Sequence, residues 1–152
     1  MVNSLGIIEL LKENTRPLHA QLDHHPLLIN LIGEKLNVGQ YVKILGLFYG
    51  FFAPVEKSLN ILPSEQKSDW ISQDLAWFGI DASTLTWCEL IPRANSPARA
   101  AGITYVLEGS TLGGKIISQR IEASLGVKPS GGGRFFHNYG DNSKLHWKKQ
   151  KL

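Results

Sequence analysis

Cysteine is almost missing from this chain: Cys88 is the only one in 152 residues. That excludes intramolecular disulfides, thiolate zinc sites and iron–sulfur clusters held by one chain, so any metal chemistry must rest on histidine or carboxylate. A surplus of one charge is missing too. Sixteen Lys and Arg against 13 Asp and Glu leave +3, too mild and too scattered for a nucleic-acid protein, although four lysines crowd the last nine residues. No apolar run reads as long enough to span a bilayer. The opening MVNSLGIIELLKEN lacks a basic leader, and Lys12 and Glu13 fall where a signal peptide needs its small-residue cleavage site. A cytoplasmic protein with no nucleic-acid and no membrane partner is therefore expected. No segment alternates with period two for long enough to make a strand, and no flavin or nicotinamide fingerprint is present.

What is there is helical. Hydrophobic residues make up 43% and charged residues 19%, close to the globular average, so one domain over residues 1–152 with a sizeable core fits the length. Tyr41, Val42, Leu45, Phe48, Phe52 and Val55 recur at three- and four-residue steps, predicting a long amphipathic helix from Val38 to Leu59 with a bend at Pro54. A first helix should run from Leu5 to His24, capped by Asn3 or Ser4 and stopped at Pro26. Shorter helices are expected over Pro26–Gly33 and Ser68–Phe78. Ser96 followed by Pro97 opens a pattern that continues to Leu125, where Gly126 and Pro129 close it, and a last helix should start near Asn142 or Ser143. The expectation is an all-α fold of five to seven helices around one core.

Two features carry chemistry. The segment from Gly102 to Gln119 places Gly102, Gly109, Gly113 and Gly114 inside a predicted helix. Each glycine costs roughly 0.8–1 kcal/mol against Ala in a helix interior, about 3–4 kcal/mol together, so something must offset the loss. Gly102, Gly109 and Gly113 share one stripe with Ser110 and Gly114 beside it, which makes a flat groove for a closely packed helix or for a planar ligand. Glycine pairs also loosen or kink a helix. The second feature is His19, four residues before Asp23 on one face of the first helix. There a carboxylate can orient the ring through one nitrogen while the other binds a metal. One candidate axial ligand, one bare-backbone helix and no second good ligand describe a five-coordinate heme with an open side.

Three stretches then carry a resemblance: LKENTRPLHAQLD from Leu11 to Asp23, YVLEGSTLGG from Tyr105 to Gly114, and RFFHNYG from Arg134 to Gly140, with lesser support from YGFFAPVE between Tyr49 and Glu56. The chain resembles the heme oxygenases, specifically the bacterial biliverdin-forming branch found beside bacterial phytochromes. The resemblance implies a heme oxygenase-like helical bundle and makes His19 the proximal iron ligand. It places Gly109, Ser110, Gly113 and Gly114 on the distal helix against the heme, the first three as the catalytic wall. Lys12 and Lys148 match positions near the heme propionates, and Tyr105 lies near the heme edge. In animal relatives an acid stands where this chain has Ser110, which bears on the distal water arrangement.

The implied reaction consumes heme, O2 and electrons from an external donor, a ferredoxin or reductase, and yields biliverdin, carbon monoxide and ferrous iron. A biliverdin acceptor such as a phytochrome is a further implied partner, and the lysines at 144, 148, 149 and 151 could dock an acidic donor. A non-catalytic heme carrier or sensor on the same scaffold, and a helical module whose glycines serve only packing, are the competing readings. Family members usually continue into further helix that helps close the pocket, so the expectation is a chain that lacks those closing helices.

Overall fold

The computed structural model describes residues 4–150 and is all-α, with no strand among the described residues. Seven α-helices follow in order: α1 (Ser4–Asp23), α2 (Val38–Ser58), α3 (Lys67–Trp77), α4 (Pro97–Gly109), α5 (Gly114–Leu125), α6 (Arg134–His137) and α7 (Ser143–Lys149). Of the two caps expected for α1, Asn3 lies outside the described residues and Ser4 is the first residue of the helix. The expected helix over Pro26–Gly33 reduces to a turn and one 3-10 turn at Ile29–Leu31.

α2 is the central helix. Its start is a capping box: the Asn37 side chain accepts from Gln40 N while Gln40 Oε1 accepts from Asn37 N. Tyr41, Ile44, Leu45, Phe52 and Val55 are buried against Ile71 and Leu75 of α3 and Phe135 and Phe136 of α6. By length and mean hydropathy alone α2 could cross a membrane, contrary to the expectation from the sequence, but here these side chains form the core. Pro54 does not end the helix. A proline lacks the N–H that would bond the carbonyl four residues back, here that of Gly50. That oxygen accepts from Cys88 N at 2.8 Å instead. A side chain at Gly50 would lie 2.8 Å from the Thr86 carbonyl oxygen, so this glycine lets the 86–88 loop reach the carbonyl that the proline frees.

Two buried carboxylates join the helices end to side. Glu56 of α2 accepts from the Lys67 and Ser68 backbone N–H groups at 2.7 and 3.0 Å, capping α3. Asp74 of α3 accepts from Arg134 N and Phe135 N, both at 2.8 Å, capping α6. Such groups supply partners to the first N–H donors of a helix, which have none inside it. Burial raises the Asp74 carboxyl above its ordinary range, against the N–H bonds and the Arg134 charge, which lower it.

α1 differs from the rest. None of residues 6–23 is buried, and α1 packs extensively against no other helix. Ile7, Leu10, Leu18 and Leu22 are all exposed.

Candidate functional site

The predicted long helix from Ser96 is divided. Ser96 caps α4, accepting from Arg99 N at 3.2 Å, with Pro97 in the first turn. At Gly109 the α-helix gives way to a 3-10 turn over Ser110–Gly113 before α5 resumes. The hydroxyls of that turn explain the change: Ser110 Oγ donates to Leu107 O and Thr111 Oγ1 to Glu108 O, each at 2.7 Å and three residues back. Such bonds to the preceding turn compete with regular helix geometry where glycines offer little resistance.

The glycines of the stripe do not share one role. Side-chain positions at Gly102 and Gly113 meet nothing within 4 Å, so bare backbone is open there. At Gly109 the same position meets the Trp147 ring at 3.8 Å, an ordinary contact. Gly114, expected on the open face, is turned the other way. A Cβ there would run into the Phe136 carbonyl and Asn138 Nδ2. Its place is the close packing of α5 on α6, because only glycine lets that backbone approach. Tyr105 packs its ring edge against Trp147, centroids 5.6 Å apart.

On α1, His19 Nδ1 and Asp23 Oδ2 are 3.1 Å apart. The two side chains are 76% and 60% exposed, and no hydrogen bond engages His19 Nε2 among the described residues. That leaves one oriented imidazole with a free nitrogen. Lys12 on α1 and Lys148 on α7 are exposed. α1 makes no extensive contact with α4, the Ser110–Gly113 turn or α5, so helix packing does not join His19 and Lys12 to Gly109, Ser110 and Gly113. No group of three or more potential metal ligands occurs among the described residues.

Sequence reasoning missed a buried cluster beside the break. Glu108 Oε1 lies 2.5 Å from Lys67 Nζ, with the two side chains 13% and 3% exposed. Its other oxygen is 3.0 Å from His146 Nε2, and Gln150 Nε2 is 2.8 Å from that same nitrogen. The His146 ring stacks on Tyr139, centroids 3.7 Å apart. Burial first, then the Glu108 charge, pushes the Tyr139 hydroxyl up to about 12. One glutamate thus ties α3 and α7 to the residue before Gly109. Glu108 sits inside the glycine motif, but its partners are 41 and 38 residues away in sequence, and no local pattern pairs them.

A cleft of about 370 Å³ opens between α2 and α4, with Phe51, Ile103, Val106 and Leu107 among its walls and Arg93 and Arg99 at its side. Gly102 also lines it. The stripe therefore begins in this cleft, is covered by the Trp147 ring at Gly109 and is open again at Gly113.

A lone imidazole with a free Nε2 and a flat face of exposed backbone suit one axial bond to iron and one broad ring surface. The donor set fits heme and does not fit a metal ion held by side chains alone, for want of further ligands. The protein-family model described as heme oxygenase matches residues 5–151. Among curated proteins no match is found.

Proposed function

The chain belongs to the heme oxygenase family, and from that premise we propose that it cleaves heme with O2 and external electrons to biliverdin, carbon monoxide and ferrous iron. The observation that carries the reading is the His19–Asp23 pair, which holds Nδ1 and leaves Nε2 free. Bound heme supplies both the iron that activates O2 and the ring that is opened. The residues of this chain bind it, orient it and exclude water.

In this reading His19 Nε2 is the iron ligand and Asp23 accepts from Nδ1–H, which fixes the tautomer and makes the ligand more basic. α1 closes over the α4–α5 face with the ring between them, covering Leu18, Leu22 and Val106, all of them exposed apolar side chains. Gly109, Gly113 and the Ser110 turn form the opposite wall; bare backbone is open to a flat ring at Gly113, and at Gly109 the ligand would take the place of the Trp147 ring. The Ser110 hydroxyl already donates to Leu107 O, so toward a bound molecule its oxygen acts as an acceptor. The reading extends to the phytochrome-associated branch, a ferredoxin or reductase as donor, a biliverdin acceptor and a cytoplasmic location. Lys144, Lys148 and Lys149, exposed on α7, supply a basic face for an acidic donor.

The test adds hemin and records the visible spectrum of the wild type and of His19→Ala. A Soret shift absent in the variant supports histidine ligation; identical spectra overturn it. Ascorbate or ferredoxin with its reductase is then supplied. A growing biliverdin band with trapped carbon monoxide marks the oxygenase, and a heme spectrum that never decays marks the carrier instead.

A further inference from the structure

We propose that α7 is a latch on the glycine stripe: Trp147 stands on Gly109 where a planar ligand would lie, the Glu108–His146 pair holds it there, and the arriving ligand displaces it. The proposal rests on the heme reading above and adds to it a contact of the chain with itself that opposes binding.

Trp147 uses the bare backbone of the stripe as a flat ligand would. Its ring lies 3.8 Å from the side-chain position at Gly109 and meets the Tyr105 ring edge-on, centroids 5.6 Å apart. Gly102 and Gly113, on either side, are open. The polar tie is one residue earlier. His146 Nε2 lies 3.0 Å from Glu108 Oε2, and the other oxygen of that carboxylate takes Lys67 Nζ. Among the described residues no other side-chain hydrogen bond joins α7 to another α-helix. The Lys67 side chain is 3% exposed and that of His146 30%. Lys67 therefore keeps Glu108 in place whether α7 is on or off, and His146 is the partner that can leave, at an edge where water can replace it.

The chain that leads into α7 is fixed at one end and free to turn at the other. Asn138 is pinned to the body: its carbonyl accepts from Arg134 Nη1, and its Nδ2 donates to Phe136 O at 3.1 Å. Gly140, two residues on, has φ +56°, in the left-handed region that glycine adopts at little cost. Past it, the Lys115–Asp141 pair is exposed on both sides and worth little. A swing at Gly140 lifts Trp147 off Gly109, takes His146 from Glu108 and parts its ring from that of Tyr139. A tetrapyrrole repays this because its flat face is wider than one indole and reaches the open backbone at Gly113 as well. The apparent affinity is lowered by the fraction of chains that are open, and uptake waits for the opening.

The test follows the Trp147 ring and the rate of uptake. In protein grown with fluorotryptophan, the fluorine NMR line of Trp147 is the one that Trp147→Phe removes, and its shift between light and heavy water should be that of a shielded indole. Metal-free protoporphyrin IX, which needs no iron ligand, should move that line and raise its solvent shift. A line already at the value of an exposed indole, or one that bound porphyrin leaves in place, overturns the proposal. In stopped flow, the wild-type rate of hemin uptake should level off as hemin rises, because opening of α7 becomes limiting. His146→Ala should raise that plateau about tenfold, as expected for a lost bond to a charged group. Trp147→Ala should show no plateau and a rate proportional to hemin. Trp147→Phe keeps a ring on Gly109 and should keep the plateau, which separates an uncovered stripe from a disturbed fold; its loss there counts against the latch. Equal rates in wild type and Trp147→Ala, or a plateau that His146→Ala leaves unchanged, overturn it. The outcomes are separable: identical hemin spectra in wild type and His19→Ala defeat the histidine-ligated reading and leave the fluorine shift standing, whereas an unmoved Trp147 line defeats the latch and leaves the His19-dependent spectrum standing. Uptake of neither ring defeats both.

Discussion

A single carboxylate governs how the His19 ring is presented. Asp23 holds Nδ1 at 3.1 Å, and without it an imidazole this exposed samples several rotamers, only some with Nε2 outward. Asp23→Asn should weaken hemin binding about tenfold, the low end of what loss of an orienting partner does to metal affinity. Soret titration measures it, and unchanged affinity would show that Asp23 does not orient the ring. Glu108 works where water is scarce. Replacing it by Gln leaves Lys67, 3% exposed, as a buried cation without a counter-charge, so Glu108→Gln should cost about 3–5 kcal/mol in urea unfolding. Lys67→Met in the same chain should restore most of that loss; no restoration would show that the pair is not what Glu108 stabilises. Tyr139 gives a pH test. Its folded pKa is raised from 10.0 to about 12, so the folded state holds the proton longer and Tyr139 supports folding fully below pH 10. That support is lost as pH rises from 10 through 12. Tyr139→Phe should therefore lose stability less steeply than wild type across this window, as followed by urea midpoints at stepped pH.

Neighbouring glycines in the distal segment have opposite duties, and the helices decide which. Gly113 has ordinary helical backbone angles, φ −84° and ψ −9°, and open space at its side-chain position. Gly113→Ala should be neutral or raise stability by up to about 1 kcal/mol, since alanine restricts the unfolded chain, while weakening hemin binding through a methyl on the ring face. Gly114→Ala should do the reverse to the fold, costing about 1–3 kcal/mol, because the Phe136 carbonyl that meets the new Cβ is backbone and cannot swing aside. Thermal melts with hemin titrations separate the two, and equal stability of both variants would sink the distinction. The motif announced that glycines were needed without saying on which side each was needed. That depends on α6, a four-residue helix too short for any periodic signal. The long period of α2, the Ser96 cap and the Gly126 stop were readable because each is a local rule. Glu56, Asp74 and Glu108 were not, because a carboxylate that caps or pairs across 11 to 61 residues looks in sequence like any other charge.

At the scale of the molecule, the body and α1 are held by different means. Residues 28–150 surround one core of interlocked aromatics, in which Phe48 touches Phe52 and Phe136, and Phe135 touches Phe52 and Phe136. None of residues 6–23 of α1 is buried in it. Yet α1 has an apolar side: Leu11, Leu18 and Leu22 recur at helical spacing around His19, and Leu18 and Leu22 are 61% and 54% exposed. A helix keeps such a face for something to cover it, and if that partner is the ligand, the face matters to binding and not to the ligand-free fold. Leu18→Glu/Leu22→Glu should then leave the melting temperature of the ligand-free protein unchanged, as exposed substitutions shift stability by no more than about 0.5 kcal/mol each. In the presence of hemin the same variant should lose both the affinity and the ligand-induced rise in melting temperature that tight binding to the folded state produces. A variant that melts early without hemin would show that these leucines belong to the core after all. One that keeps full hemin affinity would show that α1 does not close over the ring.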